Sequence, residues 1–232
     1  MCSSDLTGYG DRSDAQKTED IERGQKLCLE AGYTSAQDVI VGNTNDIRLY
    51  QEYARSGKLK VRLYTMLYLH TEEQVNSMAA TYKPESVGLF VFGGWKLAMD
   101  GGPAPRTVLM YDTTINMAQA SYPYFSQEML NRMVSTLHNT GLQVAVHVSG
   151  DRGIDMTLTA FEEAMRTNPR NDPRHRIEHG LWPSDSALKR MQKSKIILST
   201  QPQWISWHGD SYIWESDPKT MEIGRASCRE RV

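Results

Sequence analysis

Five polar residues stand where apolar, strand-like runs of this 232-residue sequence come to an end: Asp38, Lys96, His147, His179 and Gln201. Neutral imidazole is the commonest metal ligand among side chains, and it moves protons near neutral pH. Asp38 and Lys96 belong to the same chemistry of binding ions or moving protons, while Gln201 is a possible substrate contact. Two imidazoles delivered by adjacent strands would share one cation.

Each residue also has an ordinary reading. A lone histidine in a strand is more often a hydrogen-bonded core side chain than a ligand. Lys96 could carry its amine along an apolar surface to solvent, and Asp38 could cap the turn that follows it. His70 reads as a residue that opens a helix. His138 falls late in a helical segment, where a cation suits the dipole. His175 stands one residue into its strand and points to the wrong end. His208 lies in an aromatic loop and is compatible with either role. What sets His147 and His179 apart is their joint placement.

The elements that must position these residues alternate in type. Strand-like runs cover 33–40, 59–69, 87–99, 142–149, 174–180 and 195–203. Helical patterns cover 17–32, 46–57, 71–82, 126–141, 153–168 and 184–194. The clearest helix carries Met129, Leu130, Met133, Val134 and Leu137 on one stripe, with Ser126 as N-cap and Gly141 past its end. A long loop rich in Gly and Pro runs from Asp100 to about Phe125. Strand–helix alternation predicts parallel βα units. A doubly wound sheet would carry a Gly-rich phosphate turn after an early strand, and none is found. A (β/α) barrel gathers the C-terminal strand ends at one mouth, where the polar residues here cluster.

Composition narrows the partners. The formal net charge is -2, so no basic face for nucleic acid is expected. No apolar run approaches the ~18 residues of a membrane span. The three cysteines are Cys2, Cys28 and Cys228. Cys28 lies in a helical pattern and is expected to be a buried thiol. Without a disulfide framework the chain fits a reducing, cytoplasmic compartment. The two ends differ from the rest. "CSSDL" at Cys2–Leu6 and "IGRASCRERV" at Ile223–Val232 resemble translated sequencing-adapter sequence. On that reading residues 1–6 and 222–232 are foreign, and 7–221 are part of one barrel domain.

Four stretches in order, "WKLAMDGG…RT", "VAVHVSGDR", "RHRIEHG" and "LSTQPQ", resemble the metal-dependent amidohydrolase superfamily. The specific likeness is to amidohydrolase family 3, in the branch of N-substituted formamide deformylase-like enzymes. The resemblance implies a (β/α)₈ TIM barrel, here an incomplete one holding strands two to seven. It implies a metal set of Lys96, which would be carboxylated, together with His147 and His179. One or two divalent ions, zinc for preference, would be the cofactor. Asp151 and Arg152 match the family's "GDR" and are expected to brace the ligands from behind. The family's His-x-His pair on strand one and its water-activating Asp on strand eight are both missing here, so no catalytic residue of this chain is named. The expected activity of the parent protein is hydrolysis of an amide or related C–N bond in a small molecule, with this piece alone inactive. Gln201, Trp204 and Trp207 are the expected substrate contacts, an aromatic wall suited to an apolar substituent. An alternative is a barrel relative that has lost catalysis and binds a small ligand; another is a barrel enzyme of unrelated chemistry. Oligomeric state is left open.

Overall fold

The computed structural model describes residues 12–82, 85–114, 118 and 120–204. Its elements run α1 (Asp14–Glu30), β1 (Ser35–Val41), α2 (Thr44–Arg55), β2 (Arg62–Tyr68), α3 (Glu72–Thr81) and β3 (Phe90–Ala98). They continue with α4 (Gln127–His138), β4 (Gln143–Val148), α5 (Asp151–Thr167), β5 (Arg176–His179), α6 (Asp185–Ser194) and β6 (Ile197–Ser199). Each expected strand and helix forms, with ends shifted by up to a few residues; the last strand is only Ile197–Ser199, so Gln201 lies past it, and β3 runs beyond Lys96 to Ala98. Strand order follows chain order, β1-β2-β3-β4-β5-β6, as successive βα units require. The chain divides into two compact units, one of residues up to 69 with 80–96, the other of 70–79 with residues from 97 on. Among the described residues no helix is long and apolar enough to cross a membrane.

In the first unit, α1 opens on a capping box: the Ser13 hydroxyl accepts the Gln16 N–H at 3.3 Å, and the Gln16 side chain accepts the Ser13 N–H at 2.9 Å. Asn43 caps α2 by accepting the Asp46 N–H at 2.9 Å. β1 pairs with β2 and β2 with β3, both parallel, which sets Ser35 opposite Arg62 and Tyr68 opposite Lys96. β3 is buried along almost its whole length, the pattern of a parallel strand covered on both faces. Phe90 and Trp95 in β3 are fully buried.

One expectation fails here. Cys28 is half-buried rather than buried. α1 buries none of its residues, and Leu27 and Leu29 are 59% and 45% exposed. The apolar spacing of this helix is too sparse to build a packed face. Polar contacts hold it instead, Lys17 to Asp46 at 2.8 Å and Gln25 to Tyr53 at 2.7 Å.

In the second unit, Ser126 caps α4 by accepting the Met129 N–H at 3.2 Å, and Leu130, Met133, Val134 and Leu137 are fully buried. α4 packs beside α5, which buries Ile154, Leu158, Phe161 and Ala164. β4 pairs with β5 in parallel, His147 opposite Glu178 and Val148 opposite His179, and β5 pairs with β6.

A second expectation fails at the end of α4. His138 is not a solvated cation but fully buried. Its Nδ1 lies 2.8 Å from His175 Nε2, and its Nε2 lies 2.7 Å from the Asn168 carbonyl. The Val144 N–H points at His175 Nδ1 from 3.1 Å. An amide can only donate and a carbonyl only accept, so the donors run in one direction. Val144 donates to His175, His175 Nε2–H to His138 Nδ1, and His138 Nε2–H to Asn168. Both rings are therefore neutral. Burial pushes His175 down to about 3, reinforced by His138 and Arg170. Burial also lowers His138, against the Asn168 carbonyl.

Candidate metal centre

His147 is the fifth of six residues in β4 and His179 the last of β5. Regular pairing sets His179 level with Val148. In a strand, successive side chains alternate faces, so ideal geometry would send His179 away from the face of His147. The backbone of His179 takes φ 75° instead. That left-handed turn is rare for any residue but glycine and is costly. It ends the alternation, and the two rings meet edge to face with centroids 4.6 Å apart.

Hydrogen bonds fix which nitrogen of each ring carries the proton. The Gln201 amide nitrogen donates to the Ser199 carbonyl at 3.3 Å, which turns its oxygen toward His179 Nδ1 at 2.6 Å. An amide oxygen only accepts, so Nδ1 holds the proton and Nε2 the lone pair. His147 Nε2 faces the Gly101 carbonyl at 3.2 Å, so this ring holds its proton on Nε2 and its lone pair on Nδ1. Two neighbouring imidazoles, each with one nitrogen committed to a hydrogen-bond acceptor, would in their neutral form offer the other nitrogen to a divalent ion as two of its ligands. Among the described residues, no group of three or more His, Cys, Asp or Glu stands ready to hold an ion.

Asp100 is the residue that sequence reasoning missed. It is 1% exposed. Oδ1 accepts the Ser149 N–H at 2.9 Å, and Oδ2 accepts the N–H groups of Leu109 and Gly150 at 3.0 Å each. Oδ1 also lies 3.7 Å from His147 Nε2. Burial pushes its carboxyl up to about 7, against three backbone N–H groups that hold it down. The signal available in the sequence was a lone acidic residue directly after the apolar run "FGGWKLAM".

The other expected residues fall as follows. Asp151 accepts the Tyr111 N–H at 3.0 Å and the Arg152 N–H at 2.6 Å, which ties the long loop to the start of α5. Arg152 begins the same helix. Trp204 stacks on the His179 ring, centroids 5.0 Å apart at 13°. Gln201 spends its amide oxygen on His179, as above. Trp207 and His208 lie outside the described residues. In the first unit, Lys96 lies within β3 and is 4% exposed. Asp38 lies inside β1 and not at its end, because β1 runs on to Val41. It accepts the Tyr50 hydroxyl at 2.9 Å and the Ile40 N–H at 3.3 Å.

The model of a protein family described as the amidohydrolase family matches residues 3–220 of this chain. The chain belongs to the amidohydrolase family. Among curated relatives, Protein LONG AFTER FAR-RED 3 of Arabidopsis thaliana is 27% identical over 207 residues, 84% of this chain and 35% of that protein. N-substituted formamide deformylase of Arthrobacter pascens is 22% identical over 225 residues, 93% of this chain and 40% of the enzyme. Among solved structures, an uncharacterized metal-dependent hydrolase from Pyrococcus furiosus superposes with a TM-score of 0.76 at 26% identity, covering 92% of this chain and 43% of that one. The amidohydrolase chain thus spans 35% to 43% of the length of these three relatives. Its successive parallel βα units are an incomplete (β/α)₈ barrel of the metal-dependent hydrolase type, as the sequence led us to expect.

Proposed function

We propose that this amidohydrolase chain is the part of a hydrolase that carries two metal-binding imidazoles, and that the whole protein cleaves an amide or related C–N bond of a small molecule with metal-activated water. The observation that carries the reading is the histidine pair. Two residues 32 positions apart meet ring to ring, with opposite nitrogens basic, at the cost of a left-handed backbone at His179. The left-handed backbone at His179 is what turns its ring to His147, and an ion held between His147 Nδ1 and His179 Nε2 would use that pairing. The bound ion would polarise a carbonyl and lower the pKa of water. Zinc, as one ion or two, suits nitrogen donors.

Lys96 is the third proposed ligand. A buried ammonium is a poor ligand and costly to keep from water. Its carbamate is an anion that coordinates through oxygen. Asp151 and Arg152 are proposed to support the ligands by anchoring the loop and turn beside β4. Trp204 is proposed as an aromatic face next to His179 for a substrate with an apolar group on nitrogen, and Trp207 as a second substrate contact. The relative named for N-substituted formamides favours that class. Further ligands and the water-activating carboxylate are assigned to the rest of the protein, so the 232-residue chain is proposed to be inactive alone.

The test is the full-length gene product, purified without chelator. It should contain a divalent ion and hydrolyse N-substituted amides, and dipicolinate should abolish turnover until zinc is restored. A full-length protein free of divalent metal and inert toward amides would overturn the reading.

A further inference from the structure

We propose that Asp100 is a positioning residue for His147: it gathers the backbone around that ring so that the imidazole keeps its proton on Nε2 and turns Nδ1 toward the ion. The proposal rests on the metal reading above and adds a residue to it.

Residues 99–101 wrap the end of β4. The Met99 N–H donates to the His147 carbonyl at 2.8 Å. The Gly101 carbonyl receives both His147 Nε2–H and the Ser149 hydroxyl, each at 3.2 Å. Between them the Asp100 carboxylate takes three N–H groups, from Ser149 and Gly150 just past the strand and from Leu109 in the long loop. It thus pins the turn after His147 and the loop to the same point. The surroundings leave no room to drift. A Cβ on Gly150 would come within 2.1 Å of the Leu109 carbonyl, and one on Gly153 within 2.6 Å of the Val148 side chain and 3.4 Å of Asp100 Oδ2. Gly101 is as tightly held, since a Cβ there would meet the Thr107 hydroxyl at 1.9 Å. A carboxylate is needed because its oxygens only accept. An asparagine would set an NH₂ against one or two of the three N–H groups and release part of the turn. The carbonyl that fixes His147 would then be free to rotate away.

The experiment uses the full 232-residue chain, cobalt(II) as the metal, and Asp100→Asn beside wild type. Visible absorbance reports the cobalt affinity, and ¹⁵N correlations of labelled histidine report the tautomer of His147, assigned with His147→Gln. Wild type should show the proton on Nε2. Asp100→Asn should show a mixture of tautomers and bind cobalt about 10–100-fold more weakly, the range seen when groups behind a ligand are altered. A folded Asp100→Asn with the wild-type tautomer would overturn the proposal, whatever its melting temperature. If that variant fails to fold, wild type decides: a proton on Nδ1 of His147 overturns the proposal, and one on Nε2 supports it. Should wild type take up no cobalt at all, the tautomer comparison alone judges Asp100, and the full-length gene product judges the metal reading.

Discussion

Acid works against this fold through His175. In the folded chain burial holds its pKa at about 3, against 6.5 for an ordinary histidine. The unfolded chain therefore binds a proton below about pH 6.5 that the folded chain refuses until about pH 3. The stability linked to His175 is fully present above pH 6.5 and drains away as pH falls toward 3. At pH 5 the loss comes to about 2 kcal/mol for this one group, and the lowered His138 adds in the same direction. The geometry explains why relief is not available. A proton on His175 Nδ1 would face the Val144 N–H at 3.1 Å, and one on His138 Nδ1 would face His175 Nε2–H at 2.8 Å. The assay is urea unfolding followed by far-UV circular dichroism at pH 8, 6.5 and 5. Between pH 8 and 5 wild type should lose about 2 kcal/mol more than His175→Gln; the raised Asp100 carboxyl, which takes up a proton in the folded chain over the same interval and works in the opposite direction, is common to both proteins. His175→Gln starts less stable but should lose less over the same interval, because glutamine does not titrate. Equal pH slopes for the two proteins would refute the reasoning.

Other expectations concern the turn, the ligand ring and the helix cap. Gly150→Ala forces a Cβ toward the Leu109 carbonyl and should cost about 1–3 kcal/mol by thermal melting, the usual range for overpacking; an unchanged melt would contradict the close approach. Gln201→Leu removes the acceptor of His179 Nδ1–H and should weaken cobalt binding about 10–100-fold while leaving the melt nearly unaltered. Ser126→Ala deletes the cap on Met129 and should cost about 1 kcal/mol in urea, with no effect on metal.

The barrel units were legible because their signals are local. Apolar runs such as 90–98 and 143–148 and the stripe of Leu130, Met133, Val134 and Leu137 state their own periodicity. α1 was misjudged because a sparse stripe cannot reveal that a helix is held by Lys17 and Gln25 instead of a core. His138 was misjudged because helix position speaks of the dipole and says nothing of a partner 37 residues away. At the site, His147 and His179 could be picked out as strand ends converging in a barrel. The left-handed φ of His179 could not be, since sequence announces such a backbone only with glycine or asparagine. Asp100 escaped for a related reason. Its partners are backbone N–H groups 9, 49 and 50 residues away, and any residue type supplies those.

X-ray absorption at the zinc edge, on the 232-residue chain loaded with one equivalent of zinc, tests the central claim most directly. The spectrum should show two imidazole nitrogens at about 2.0–2.1 Å, and His147→Ala/His179→Ala should abolish them. Zinc bound equally by the double variant, or a wild-type spectrum without imidazole scattering, would contradict a shared ion between the two rings.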